Sequence, residues 1–256
     1  MAAGTPVNEH LASVAFIQIM ITGKAPQPSF VGSATGFFFD HGGKTYLVTN
    51  RHVVIDEDKH FYPDHLIVRI HASHTDVDAT RDVTLPLYDA QLNPIWREHQ
   101  NKAYDLVLLN IGSLLTQTDK VVCWGYENLL SPTSRINVGS PVWVIGYPMA
   151  FFERQHYLPI VRSGMLSTTY GLTFNGLPTC LVDANLHQGT SGSPVLVQPE
   201  AVEGGSLIPP TRLQSYIVGI NSGVHIVNGV SLGLNEVWYG RLIMDILEDT
   251  PQTINR

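Results

Sequence analysis

The sequence predicts an all-β protein built mainly from short strands. Glycine and proline are plentiful, at 22 and 16 of 256 residues, and both types typically end strands and form turns. Runs rich in β-branched and aromatic residues recur between these turns, whereas helical periodicity is scarce. With 44% hydrophobic and only 14% charged residues, the chain is long enough to bury a large core. These observations together favour many strands around a hydrophobic interior.

Twelve strand-like segments fall into two groups of six, each bounded by turn-forming residues. The first group comprises Ser13–Ile21, Ala34–Phe39, Thr45–Thr49, Leu66–Ile70, Asp82–Leu87 and Leu106–Ile111. The second comprises Pro141–Gly146, Leu158–Ser167, Cys180–Ala184, Val195–Val197, Ser215–Ile220 and Val230–Leu234. Two sets of six predict two barrels or sandwiches joined between Gly112 and Val138. We therefore divide the chain into residues 1–125 and 126–256.

The end of the chain is predicted to be helical. Apolar residues recur there at three- and four-residue spacing, which matches one face of a helix, at Val237, Leu242, Ile243, Ile246 and Leu247. Pro251 is expected to end this helix, because proline cannot continue a helical hydrogen-bond pattern. Upstream, Gly204-Gly205 and Pro209-Pro210 bracket a predicted loop between two strands.

Charge and cysteine content narrow the classes of partner and compartment. The formal net charge is −7 and no cluster of lysine and arginine stands out, which argues against nucleic acid or an anionic membrane as a partner. Proteins or peptides are the expected partners. Met1–Ala12 lacks the positive segment of a signal peptide, and Val14–Ile21 is too short to span a bilayer. Two cysteines, Cys123 and Cys180, fit a reducing cytoplasmic setting; buried thiols are favoured, and one disulfide is left open.

The segment Gly189-Thr190-Ser191-Gly192-Ser193-Pro194 carries the clearest sign of chemistry. It places a serine in a tight glycine turn between two apolar strand-like runs. Alone, such a run is more typical of a surface turn or linker. A serine hydroxyl becomes a useful nucleophile only when a base removes its proton and a third group orients that base.

His52 and Asp105 are the candidate base and orienting acid. His52 follows an apolar strand, and Asp105 precedes a strand that looks buried, where a carboxylate needs a partner. Taken singly, His52 has a simpler interpretation as a satisfied polar group at a strand end, and Asp105 has one as a helix or turn cap. With Ser191 the chain order is His, Asp, Ser, which differs from the α/β-hydrolase order. The backbone N–H groups of Gly189 and Ser191 are candidates for binding an oxyanion.

Six blocks in this order resemble one family. They are Gly32–Phe37, Thr49–Val53, Ala103–Leu109, Val138–Pro148, Ser163–Ser167 and Asp183–Pro194. Together they cover roughly residues 13–248. The chain resembles a trypsin-like (chymotrypsin-fold) serine peptidase, and most closely the protease domain of the HtrA family without a PDZ domain.

The resemblance implies two six-stranded antiparallel β-barrels followed by a C-terminal α-helix. It also implies a serine endopeptidase in which His52 takes the proton of Ser191, Ser191 attacks a peptide carbonyl, and Asp105 supports the imidazolium. Gly189 and Ser191 then form the oxyanion hole, and no metal or organic cofactor is required. The same alignment assigns the remaining substrate-binding positions, with two at the S1 pocket and three on a flanking strand: Asn185, Leu186, Ile220, Asn221 and Ser222. A neutral pocket predicts small or medium aliphatic P1 residues.

Three departures from the family pattern carry expectations of their own. Ser193 stands where the family usually has glycine, which could restrict the approach beside the nucleophile. Thr190 replaces the aspartate that binds a freshly cut N-terminus, so we expect no zymogen activation. No PDZ domain follows Arg256 in this sequence, and the sequence leaves a monomer and a trimer equally open.

Alternatives stand beside the peptidase hypothesis. The rival class is a latent or inactive protease-fold module that binds peptides in a chaperone-like way. The segment Asp56–Asp78 is rich in histidine and aspartate, and His71 with His74 could begin a zinc site, although a solvated surface connection is the preferred interpretation. The aromatic cluster of Phe151, Phe152 and Tyr157 could form a regulatory loop or simply pack half-buried.

Overall fold

The computed structural model describes residues 9–22, 29–198, 202–203 and 215–248. A short helix, α1 (Glu9–Ala12), leads into a seven-stranded antiparallel sheet. Its strands are β1 (Val14–Ile21), β2 (Ser29–His41), β3 (Lys44–Thr49), β4 (His65–His71), β5 (Thr80–Pro86), β6 (Arg97–Glu98) and β7 (Val107–Asn110). Their spatial order is β5-β4-β1-β2-β3-β7-β6.

The second half forms a closed antiparallel barrel of six strands. These strands are β9 (Pro141–Gly146), β10 (Ile160–Leu166), β11 (Thr179–Asp183), β12 (Pro194–Val197), β14 (Tyr216–Val227) and β15 (Val230–Tyr239). Around the barrel their order is β10-β11-β15-β14-β12-β9. Two short strands, β8 (Arg135–Ile136) and β13 (Val202–Glu203), pair separately. The predicted six-stranded barrel is thus confirmed for the second half of the chain.

The prediction of a second six-stranded barrel needs correction. Among the described residues of the first half, the end strands β5 and β6 do not pair, so this sheet is seven-stranded and open. Among the described strands, its two-residue last strand, β6, pairs with β7 alone. Between β5 and β6 the chain turns back on itself at Asp89, whose carboxylate accepts bonds from the N–H groups of Gln91 and Asn93. Across this turn the described residues form an isolated antiparallel bridge between Tyr88 and Pro94, and the pairing does not continue into a ladder between β5 and β6. The division at residues 125 and 126 stays a proposal.

The predicted C-terminal helix begins later than expected. Helix α2 spans Leu242–Glu248 and buries five of its seven residues, whereas Val237 belongs to β15. A fully buried Val237 fits a barrel strand equally well, so apolar spacing could not separate the two elements. Pro251 and the predicted loop at Gly204–Pro210 lie outside the described residues.

One hydrophobic cluster joins the sheet to the barrel. It contains Phe16 and Phe37 from the sheet, Ile145 and Trp238 from the barrel, and Leu242 from α2. All five are buried. Because this contact is apolar and continuous, it fixes the sheet against the barrel. The polar residues described below lie along the boundary between the two, which we call the seam.

The segment Asp56–Asp78 is more ordered than a solvated connection. His71 ends β4 and is buried, with its Nδ1 atom 3.2 Å from the carbonyl oxygen of Val77, whereas His74 is exposed. The part of the chain that the structure describes contains no group of three or more potential metal ligands. Within that part, no helix combines the length and apolar character needed to cross a bilayer.

Candidate active site

His52 and Asp105 lie in direct contact. Strand β3 ends at Thr49, and a 3₁₀ turn, Arg51–Val53, then presents the imidazole. Asp105 comes just before β7, which pairs with β3 so that Thr49 faces Val107. The Nδ1 atom of His52 lies 2.7 Å from Oδ2 of Asp105, and the backbone N–H of His52 donates to Oδ1 at 2.9 Å. The pairing of two strands therefore brings base and acid together.

The carboxyl group of Asp105 is held in its ionised form. Burial opposes ionisation, but the hydrogen bond and charge attraction from His52 outweigh it and keep the pKa of Asp105 below its ordinary value. Ser222 adds a third donor, with its Oγ 2.6 Å from Oδ2. The backbone of Asp105 is held as well, because Nδ2 of Asn50 donates to the Asp105 carbonyl at 2.8 Å. An ionised carboxylate only accepts, so Nδ1 of His52 carries the proton and Nε2 is left as an acceptor.

Ser191 is linked to His52 and Asp105 through a single residue, Ser222. Its Oγ donates to the carbonyl oxygen of Ser222 at 3.1 Å, and among the described residues it has no hydrogen bond to His52. Ser222 thus contacts both Ser191, through its carbonyl, and Asp105, through its hydroxyl. It occupies a bulge in β14, where the register with β15 shifts between Asn221 and Gly223. Bulges next to active sites commonly redirect a side chain, and this one directs Ser222 to the acid.

The turn before Ser191 leaves two backbone donors unused. His187–Thr190 form a type II turn, with Gly189 at φ +90° and the Thr190 N–H donating to the His187 carbonyl at 3.2 Å. The carbonyl of Gln188 accepts from the Met149 N–H at 2.6 Å, so the N–H of Gly189, in the same trans peptide, points the opposite way. In the described part of the chain, the N–H groups of Gly189 and Ser191 have no intramolecular acceptor.

Thr35, on β2, ties the sheet to this turn. Its N–H donates to the Ser191 carbonyl at 2.9 Å, and its Oγ1 donates to the Gly189 carbonyl at 2.8 Å. The same Oγ1 accepts from the N–H of Tyr147 at 3.0 Å. Thr35 is fully buried, and sequence analysis gave it no role beyond a glycine-rich block. In the sequence, the only sign of this bonding role was a single threonine within a run of small residues.

Comparison with known families adds to this geometry. Residues 34–202, more than half of the chain, match the sequence model of a family described as a trypsin-like peptidase domain. The chain belongs to this family. Membership supports a serine-peptidase type of hydrolase acting on protein substrates. A comparison with curated proteins found no match. The matched span includes His52, Asp105 and Ser191, and it ends before β14 and β15.

In this peptidase domain, only one of the three predicted strand residues faces the seam. Ile220 is fully buried and pairs with both β12 and β15. Asn221 is also buried, and its Nδ2 donates to the Thr190 carbonyl at 2.9 Å. Its backbone carbonyl accepts from the Gly192 N–H at 2.9 Å. Ile220 and Asn221 therefore support the Ser191 turn from inside the barrel wall, and their place beside a substrate backbone stays a prediction.

The predicted S1 residues lie on the segment after β11. Asn185 is exposed, and Leu186 is half-buried against the barrel core. Asn235, which sequence analysis missed, holds this segment: its Nδ2 donates to the Ala184 carbonyl at 2.7 Å and to the Gly233 carbonyl at 3.2 Å.

The concern about Ser193 also needs correction. Its side chain is fully buried and packs toward Gly146 and Thr35 rather than into the cleft beside Ser191. Its hydroxyl has no hydrogen-bond partner within the described structure. Ser193 therefore leaves access to Ser191 unobstructed.

The aromatic cluster at Phe151, Phe152 and Tyr157 divides into two environments. The ring of Phe152 lies 5.4 Å from those of Phe16 and Tyr157, whereas Phe151 is exposed. The hydroxyl of Tyr147 donates to the Tyr157 carbonyl at 3.1 Å. Half-buried packing accounts for Phe152 and Tyr157.

Proposed function

We propose that this chain is a serine endopeptidase that cleaves protein substrates through His52, Asp105 and Ser191. The observation that carries the proposal is the contact between His52 Nδ1 and Asp105 Oδ2 at 2.7 Å. It fixes the tautomer in which Nε2 can accept a proton, and it places an ionised group where it stabilises an imidazolium. The family match supports the same type of reaction.

The first step is transfer of the Ser191 proton. In the structure the hydroxyl donates to the Ser222 carbonyl, an acceptor that also suits a substrate backbone N–H. When a substrate takes that carbonyl, rotation of the Ser191 side chain brings its hydroxyl to Nε2 of His52. Oγ then attacks the peptide carbonyl carbon as the proton moves to Nε2.

The developing oxyanion is bound by the N–H groups of Gly189 and Ser191, which the described structure leaves without acceptors. Loss of one such donor typically costs about 3 to 4 kcal/mol of transition-state stabilisation. The leaving amine takes the proton from His52, and an acyl-enzyme forms on Ser191. Water, deprotonated by His52, hydrolyses this ester and restores the free serine.

Finer features belong to the same proposal. The six sequence blocks favour an HtrA-type protease domain. A half-buried Leu186 beside an exposed, neutral Asn185 favours small or medium aliphatic P1 residues. Within the described structure neither Cys123 nor Cys180 forms a disulfide, which suits a reducing compartment such as the cytoplasm.

Hydrolysis of fluorescein-labelled casein tests the proposal. We expect Ser191→Ala and His52→Ala to abolish measurable turnover and Asp105→Asn to lower it by roughly 10⁴-fold, as in peptidases with this triad. Ser193→Ala, which removes a buried neighbouring hydroxyl, is the matched control and is expected to retain activity. Equal hydrolysis by the wild type and Ser191→Ala would exclude Ser191 as the nucleophile. A folded wild type that cleaves nothing would instead support a peptide-binding module.

A further inference from the structure

A cleft outside the candidate active site lies between β4 and the segment that follows β9. Its volume is about 380 Å³, and it is lined by two arginines, three aromatic residues and one alanine: Arg69, Ala150, Phe151, Phe152, Arg154 and Tyr157. None of these residues belongs to the proposed triad or oxyanion hole. Pockets that bind ligands usually measure about 300 to 1,000 Å³. The cleft is therefore large enough to hold one residue of a bound partner.

Arg69 is held in a fixed position in this cleft. Its Nε and Nη2 atoms donate to the carboxylate of Asp82 at 2.7 and 2.8 Å. Its guanidinium carbon lies 4.5 Å from the centre of the Tyr157 ring, which is a cation–π distance. Within the described structure its third nitrogen, Nη1, has no hydrogen-bond acceptor. A guanidinium fixed in this way keeps donors available for a ligand.

Arg154 supplies a positive charge that no described residue balances. Its side chain is exposed, and among the described residues it has neither a hydrogen bond nor an ion pair. The adjacent carboxylate, Glu153, instead accepts from two backbone N–H groups and lies 2.8 Å from the ring of His156. No aspartate or glutamate is among the described residues that line the cleft. Since Asp82 balances the charge of Arg69, the cleft carries one net positive charge.

The remaining lining is aromatic, and its backbone is strained. The rings of Phe152 and Tyr157 lie 5.4 Å apart, whereas Phe151 is 67% exposed and adds an aromatic surface that solvent reaches. Ala150 and Tyr157 have positive φ, at +53° and +57°, which is costly for residues with a side chain. Such strain clusters at sites that bind ligands. Aromatic residues and arginine are also enriched where proteins bind partners.

We propose that this cleft binds the C-terminal carboxylate of a peptide whose last residue is apolar or aromatic. The carboxylate accepts hydrogen bonds from Arg69 and Arg154, and the last side chain packs against Phe151 and Tyr157. One net positive charge matches a carboxylate better than a phosphate group, which carries nearly two negative charges. Because Phe151 and Arg154 are exposed, the cleft is open to solvent and the rest of the peptide can extend away from it.

Fluorescence anisotropy of the peptide Ala-Ala-Ala-Val-Phe, labelled with fluorescein at its N-terminus, tests this inference. Full-length Ser191→Ala is used, so that the peptide stays intact. We expect the peptide acid to bind, and the C-terminal amide to bind about tenfold more weakly because it lacks the charge. In the same background, Arg154→Gln should weaken binding of the acid about tenfold and Phe151→Ala about fivefold. Both side chains are exposed, so both variants are expected to fold. Arg135→Gln, which removes an exposed arginine from β8, is the matched control.

Several results would overturn this inference. They are equal binding of the acid and the amide, binding that neither Arg154→Gln nor Phe151→Ala weakens, and no binding of the acid at concentrations up to about 1 mM. An amide peptide ending in phosphotyrosine that binds more tightly than the acid would assign the cleft to phosphate and overturn it too. Binding is measured without cleavage, so failure of the proposed function and failure of this inference give different results.

Discussion

The hydroxyl of Ser193 occupies the space that a side chain on Gly146 would need. A Cβ atom on Gly146 would lie 2.1 Å from Oγ of Ser193 and 2.8 Å from Oγ1 of Thr35. Gly146 ends β9, and Ser193 follows the Ser191 turn. The missing side chain at one position thus accommodates the side chain at the other.

Substituting Gly146→Ala is expected to destabilise the fold by about 1 to 3 kcal/mol, because it forces this contact apart. Ser193→Gly should recover part of the loss in the double variant, since Thr35 still crowds the site. Chemical denaturation of the four proteins in a double-mutant cycle measures the coupling. Additive effects would show that the two positions are independent.

Thr35→Val removes an Oγ1 that bonds both the Gly189 carbonyl and the Tyr147 N–H, while keeping the side-chain shape. It leaves two buried backbone groups unsatisfied, so a loss of about 1 to 3 kcal/mol in unfolding free energy is expected. Because Gly189 belongs to the proposed oxyanion hole, kcat should fall while KM changes little. Thr84→Val, at an exposed position of β5, is the matched control. Unchanged kcat in Thr35→Val would contradict this role.

The lowered pKa of Asp105 makes stability depend on pH. Since its folded pKa lies below the unfolded value of about 3.9, the ionised carboxylate stabilises the fold above that pH. This contribution is lost as the pH falls through the folded pKa. Asp105→Asn should therefore be less stable than the wild type at pH 6, and the difference should shrink below about pH 4. Urea unfolding across this range measures it, with Asp58→Asn at an exposed carboxylate as control. A difference that stays constant with pH would contradict the assignment.

Cys180 is expected to be unreactive in the folded protein. Burial raises the pKa of its thiol to about 12, so the reactive thiolate is scarce at pH 8. Iodoacetamide should modify Cys180 only after denaturation, as mapped by peptide mass spectrometry. Half-buried Cys123 serves as the internal comparison. Rapid modification of native Cys180 would show that the barrel core opens.

The strands could largely be predicted, because apolar runs between turn residues mark buried strands directly. The predicted segment Pro141–Gly146 is β9 itself. The length of the β14–β15 hairpin was missed, since its outer half is apolar yet exposed and resembles a loop. Asn228-Gly229 was an available signal: both residues have positive φ, at +51° and +78°, as a two-residue hairpin turn requires.

The active site, too, could be predicted only in part. The contact between His52 and Asp105 could be expected from residue type and chain order, because a buried carboxylate needs a partner. The supporting roles of Thr35, Asn221 and Asn235 could not, since each depends on hydrogen bonds between segments far apart in sequence. Small polar residues of this kind carry no pattern by themselves.

Labelling with a fluorophosphonate tests the central claim most directly, because the reagent modifies only a serine that a neighbouring base activates. The wild type is expected to form one adduct, which peptide mass spectrometry locates on Ser191, and Ser193→Ala is expected to label equally. Ser191→Ala and His52→Ala should remain unmodified. An adduct on another serine, or equal labelling of Ser191→Ala, would contradict the account.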